Sequence, residues 1–177
     1  MPERSALYVL AFPTLSPDDA SRIEALRADH DPAGHSLLKA HFTFVFGCAT
    51  VSPEAAEAAM RAVAAQVATI EFSLSAARLS EHGGLQYVFL CPGQGCAEML
   101  ELHRRLDAGC EEHSEEFTPH LTVCKTPHRA QAHEALHRAS RIGLPMQGTL
   151  LALSLGAVRD GRFEVLAEAP LAGHRLG

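Results

Sequence analysis

Tryptophan is absent from this chain, and aromatic residues make up only 6% of it. A long base-stacking platform for single-stranded nucleic acid is therefore not expected. Positive charge is also scarce: 15 lysines and arginines face 21 acids, for a formal net charge of -6. Proteins that grip long duplexes do so by neutralising many phosphates, so long duplex nucleic acid is excluded as an expected partner. A local pocket for a small anion is still compatible with this balance. The five cysteines (Cys48, Cys91, Cys96, Cys110 and Cys124) are odd in number, and no two form a C-x-x-C pair. Neither a disulfide framework nor a cysteine-based zinc site is suggested, and free thiols in a reducing cytosol are the expectation. No apolar run could span a bilayer, and the first one breaks at Pro13, too early for a secretory signal. A cytoplasmic monomer without membrane contact is expected.

What is present suffices for a core. The 177 residues are 47% apolar and 20% charged, which fits one domain over residues 1–177 and excludes disorder and low complexity. Leu7 to Phe12 reads as a buried strand. Ser16-Pro17-Asp18-Asp19 and Ser52-Pro53-Glu54 each read as a helix start, with a capping serine, proline at the first position and acids at the positive end. Those helices are expected to reach about His30 and Ala68. Strands are predicted at 41–47, 71–79, 85–91 and 118–125, with His82-Gly83-Gly84 as a hairpin turn. Helices are predicted through Leu102, Leu106 and Cys110 to near Glu112, and over 128–140. A last hairpin over 150–158 and 162–167 turns at Asp160-Gly161. The alternation predicts an α/β or α+β protein made of two similar lobes, each with a His-x-Thr strand followed by a helix.

Those strands carry His41-Phe42-Thr43-Phe44 and His120-Leu121-Thr122-Val123. Side chains at i and i+2 share a face of a strand. His41 and Thr43 therefore point one way and Phe42 and Phe44 the other, and the same holds for His120 and Thr122 against Leu121 and Val123. Two lobes related by a pseudo-two-fold would bring both polar faces into one cleft. Paired imidazoles there suit phosphodiester chemistry without a metal: one takes a proton from the attacking oxygen and the other gives one to the leaving oxygen. Threonine hydroxyls can donate to the non-bridging oxygens, where charge builds. Lys125 lies further along the second strand. Its odd spacing puts it on the His120 face only if the strand bends or ends there. Phe46, by the same alternation, belongs with Phe42 and Phe44 in the core, and Tyr87 and Phe89 also read as core.

The two motifs, and Phe117-Thr118-Pro119-His120-Leu121-Thr122-Val123 above all, resemble the paired signature of the 2H phosphoesterase superfamily, in its 2′-5′ RNA ligase and cyclic phosphodiesterase branch. The resemblance implies an α+β fold of two pseudo-symmetric lobes, with antiparallel sheets lining a central cleft and helices outside. It implies that His41 is the proton donor and His120 the proton acceptor, an order that the residues themselves leave open. Thr43 and Thr122 would hold phosphate; Lys125 is a further candidate for phosphate contact from its place on the strand, not from the resemblance. The implied reaction is RNA-processing hydrolysis: opening of a 2′,3′-cyclic phosphate to a 2′-phosphomonoester, with 2′-5′ ligation as its reversible relative and no cofactor. Expected partners are a small cyclic nucleotide or a short RNA or tRNA end. The first motif departs from the family pattern in being preceded by Lys39-Ala40, where proline or an apolar residue is common. The second departs in being followed by Cys124-Lys125, where arginine often stands.

Two other readings compete. A cleft of this composition could bind a nucleotide or RNA end without turnover, although a binding module has no need of two titrating groups. His133-Glu134-Ala135-Leu136-His137 is a literal H-E-x-x-H that could hold zinc on a helix. Ser140 and Gly143 break its metzincin extension, leaving Glu164 or Glu168 as the third ligand. The remaining histidines (His30, His35, His82, His103, His113, His128 and His174) are expected at the solvated surface. His35 and Lys39 stand on the approach to the first catalytic strand. Gly93-x-Gly95 lacks the rest of a phosphate loop and reads as a plain turn.

Overall fold

The computed structural model describes residues 6–108 and 117–173. The elements are β1 (Leu7–Ala11), β2 (Thr14–Leu15), α1 (Pro17–His30), α2 (Pro32–Leu37), β3 (Phe42–Cys48) and α3 (Pro53–Ala64). They continue with β4 (Ile70–His82), β5 (Leu85–Pro92), α4 (Cys96–Asp107) and β6 (Leu121–Thr126). The last are α5 (Arg129–Ala139), β7 (Met146–Leu150), β8 (Ala152–Arg159) and β9 (Arg162–Pro170). Both serine caps form as the sequence suggests. Ser16 Oγ accepts the Asp19 amide at 3.1 Å and Ser52 Oγ the Ala55 amide at 3.3 Å, each ahead of a proline in the first turn. The final hairpin turns through Asp160 and Gly161, both at positive φ, as a two-residue hairpin that follows the sheet's twist requires.

The nine strands among the described residues join one sheet in the order β2-β7-β4-β5-β6-β3-β1-β8-β9, and each pairing between these strands is antiparallel. The sheet is strongly curled, an antiparallel half-barrel with the helices outside. At its centre β6 meets β3. From there β5, β4 and β7 continue one way, and β1, β8 and β9 the other. These are the two similar halves expected from the repeat. Behind the two His-x-Thr strands, α1 lies against β6 and α4 against β3. Phe42, Phe44, Phe72, Leu90, Leu121 and Val123 are sealed between sheet and helices.

Three elements were not anticipated. β2 is two residues long and exists only through its pairing with β7. α2 is opened by Asp31, whose carboxylate accepts the Gly34 amide at 3.2 Å, while Pro32 sits in its first turn. β7 carries Gly148, where a Cβ would lie 2.5 Å from Phe72 Cζ and 2.7 Å from Leu15 Cδ2. Leu150 closes β7 rather than opening the final hairpin. Cys91 and Cys124 are free and buried, Cys96 is free and half-buried, Cys48 is buried with its Sγ 3.5 Å from Thr50 Oγ1, and Cys110 lies outside the described residues, as does the expected helix end near Glu112.

Candidate active site

The two motifs meet at the centre of the sheet. Phe42 pairs with Leu121 across β3 and β6, and both side chains are fully buried. Continued one residue in either direction, that antiparallel register sets Thr43 opposite His120 and His41 opposite Thr122. Directly opposed residues share a face. All four polar side chains therefore stand on the face away from the Phe42–Leu121 pair, and all four are half-buried. The two histidines occupy diagonal positions, which in an antiparallel pair lie roughly 7–8 Å apart with their Cβ atoms somewhat closer. Both histidines fall just ahead of the strands rather than inside them, since β3 begins at Phe42 and β6 at Leu121.

Each imidazole is held by the same device. His41 Nδ1 bonds the Lys39 carbonyl at 2.7 Å, and His120 Nδ1 bonds the Thr118 carbonyl at 2.7 Å. A carbonyl only accepts, so Nδ1 carries the proton in both rings and Nε2 keeps the lone pair of the neutral form. Phe89 stacks on the His120 ring, centroids 3.8 Å apart, and Phe12 meets His41 edge-on at 6.2 Å. Burial pushes both histidines below the ordinary imidazole range, against the pull of their carbonyl partners. The Arg27 guanidinium and a charge on His120 lower His41 further, and Glu24 partly offsets them.

Two bulges complete the face. Along β6, Val88 pairs with Cys124 and Phe89 with Thr122, so Val123 is an extra residue. Val123 and Cys124 both turn into the core, and the alternation resumes one residue late. Lys125 now pairs with Tyr87, which shares a face with Phe89, and its Nζ lies 5.8 Å from the Tyr87 ring centroid. Lys125 thus joins the His120 and Thr122 face through a bend of the kind the sequence left open. β3 repeats the device. Its register against β1 slips between Thr43 and Val45, Phe44 and Val45 are both buried, and Phe46 is returned to the open side at 38% exposure. Phe46 is therefore not a core residue, and neither are Tyr87 and Phe89, which are half-buried on the polar face. A bulge shifts facing by one residue, and period-two reading cannot register it.

The sequence profile of the 2′-5′ RNA ligase superfamily matches residues 15–162. The chain belongs to that superfamily. Escherichia coli LigT, solved in complex with 3′-AMP, superposes with a TM-score of 0.61 at 19% identity over 94% of this chain and 98% of its own. LigT complexed with ATP gives 0.58 at 20% identity over 96% and 99%. Usb1 of Kluyveromyces marxianus with uridine monophosphate gives 0.63 at 8% identity over 96% and 99%. At these identities the structural likeness speaks for the fold. No curated protein sequence matches the chain.

The superfamily's fold leaves the H-E-x-x-H stretch outside the polar face. His133, Glu134 and His137 are exposed on α5, and His137 Nε2 lies 3.5 Å from the Arg141 guanidinium, a poor setting for a metal ligand. Glu164 pairs with Arg159 at 3.1 Å and Glu168 accepts from Ser154 at 3.4 Å. Among the described residues no group of three ligating side chains could hold a metal ion. Gly95 starts α4 at φ 80°, where a Cβ would meet the Glu71 carbonyl at 2.6 Å, so its glycine is explained by packing. His103 is not a surface residue. Its Nδ1 bonds the Phe44 carbonyl at 2.7 Å and its ring stacks on Phe117 at 3.8 Å. His35 and Lys39 are exposed, and His35 meets Glu24 at 3.5 Å. No helix among the described residues is long and apolar enough to cross a membrane.

Proposed function

We propose that residues 1–177 act as one bilobal phosphodiesterase that opens a 2′,3′-cyclic phosphate at an RNA or nucleotide end to a 2′-phosphomonoester. The observation that carries this reading is the pair of diagonal imidazoles on one face of β3 and β6, each anchored through Nδ1. A phosphorus atom seated between them has a base on one side and an acid on the other. Water attacks phosphorus while neutral His120 accepts its proton at Nε2. The P–O3′ bond breaks as His41, in its imidazolium form, gives its Nε2 proton to the departing 3′ oxygen. Thr43 and Thr122 donate to the non-bridging oxygens, and Lys125 offsets their charge. The His41-donor order follows the family, and the matching Nδ1–H forms of the two rings suit either order. Small nucleotides bound to LigT and Usb1 support a substrate of that size, and Tyr87 and Phe46 offer apolar surface beside the phosphate site.

The test is incubation of the chain with 2′,3′-cyclic AMP in the presence of EDTA, followed by phosphorus NMR. Appearance of the 2′-phosphomonoester supports the reading. Binding without turnover would favour a nucleotide-binding module, and activity lost to EDTA but restored by zinc would favour a zinc hydrolase.

The pH dependence has a definite sign. In kcat/KM the acid limb reports loss of the base and the alkaline limb loss of the acid. Both imidazoles are lowered in the free protein, so both limbs are expected below the ordinary histidine value of about 6.5. A bound phosphate anion favours the imidazolium form, so the kcat profile is expected at higher pH than that of kcat/KM. A profile flat between about pH 5 and 8 would contradict a histidine pair.

A further inference from the structure

We infer that Glu24 and Arg27 of α1 are positioning residues for His41, clamping the backbone on both sides of the carbonyl that holds its Nδ1. The inference rests on the proposed acid–base role of His41. Arg27 is 2% exposed. Its Nη1 meets Glu24 Oε2 at 2.9 Å, and its Nη2 donates to the Leu38 carbonyl at 2.8 Å. Glu24 Oε1 accepts the Ala40 amide at 2.7 Å. Lys39, between those two residues, supplies the carbonyl that His41 Nδ1 bonds.

Stability alone does not account for the pair. A buried guanidinium is costly to desolvate, and an apolar residue of similar volume is often as good or better. Here the cost is only partly met, because Arg27 Nε is buried without a hydrogen-bond partner. What the pair provides is fixed backbone at residues 38–40.

The second motif shows why the first needs it. His120 follows Pro119, whose ring fixes φ and which is itself buried. His41 follows Ala40, which has no ring restraint but does have an amide, and Glu24 takes that amide. A covalent restraint in one half is matched by an ionic clamp in the other. The charged groups facing His41 are Arg27 and Glu24 from α1 and His120 from the neighbouring half, while His35 of α2 reaches Glu24.

The experiment uses the full chain with ¹⁵N-labelled histidine and follows the ring nitrogens at a pH where they are neutral. In the parent protein His41 and His120 both show the Nδ1–H form. In Arg27→Met and Glu24→Ala, His41 is expected to lose that preference while His120 keeps it. Turnover of 2′,3′-cyclic AMP should fall about 10²-fold in kcat, with KM within about twofold. Glu24→Gln, which retains an acceptor for Ala40, should lose less than Glu24→Ala. Ala40→Pro replaces the clamp by the restraint of the second motif, so adding Glu24→Ala to it should have little further effect on kcat. Arg61→Met, which removes an exposed pair with Glu57 on α3, should change neither readout. An unaltered His41 pattern in both clamp variants, or an equal change at His120, overturns the inference. A parent protein that does not open the ring overturns the functional reading instead, and the nitrogen shifts still decide the clamp.

Discussion

Alanine at either His41 or His120 is expected to lower kcat for opening of 2′,3′-cyclic AMP by about 10²–10⁴-fold, with KM little changed. Each imidazole is assigned a proton transfer that takes place only in the transition state. Its removal therefore withdraws stabilisation there without weakening ground-state contacts to phosphate. The two losses should not multiply: a base without its acid partner, or the reverse, leaves most of the concerted help already gone, so the double variant should fall little below the slower single one. The leaving group separates the roles. A nucleoside phosphodiester carrying a p-nitrophenyl leaving group departs without protonation, so the variant lacking the acid recovers on it and the variant lacking the base does not. Under the assignment above, His41→Ala recovers and His120→Ala stays slow, and the opposite pattern reverses the roles. Full activity of both variants on the cyclic substrate would remove the histidines from the chemistry. Circular dichroism of each variant checks the fold, which should hold, because both rings sit on the open side of the sheet.

The parts of this arrangement legible in sequence were those governed by local rules. Alternation over His41 to Phe44 and over His120 to Val123 assigns the polar and apolar faces, and Phe42, Phe44, Leu121 and Val123 are all buried. Serine and proline at the helix starts, and Asp160-Gly161 at the turn, are likewise short-range chemistry. What escaped is non-local. The bulges at Phe44 and Val123 are set by how β3 and β6 register against β1 and β5, and a single chain carries no sign of that register. Phe46 and Lys125, five residues beyond their histidines, change face for this one reason. Tyr87 and Phe89 looked like core because the hydrophobic alternation of β5 does not say which side faces a helix. α2 was hidden because Pro32 and Gly34 read as breakers, when Asp31 turns them into a helix start. Glu24 and Arg27 had no sequence signal, since their partners lie 11 to 16 residues away in an irregular segment.

The two faces of β3 make opposite expectations for neighbouring residues, and Phe42 gives the larger stability effect. Phe42 is fully buried between His41 and Thr43. Its ring meets Phe72 of β4 edge-on at 5.3 Å and lies 6.5 Å from Phe44. Through its pairing with Leu121 it also joins the two halves where β3 meets β6. Phe42→Ala removes that apolar surface from the centre of the core and leaves a cavity that the surrounding strands can only partly close. The expected loss is about 3–5 kcal/mol, a large share of the roughly 5–15 kcal/mol typical of a folded domain. Urea unfolding should show a lower midpoint with an unchanged slope. Thr43→Ala, one residue on, removes a half-buried hydroxyl from the open face. It should leave the midpoint nearly in place while reducing turnover, because the hydroxyl is assigned to phosphate rather than to packing. Should Thr43→Ala destabilise the chain as much as Phe42→Ala, the division of β3 into a packing face and a chemical face would fail, and with it the placement of both histidines on a common side.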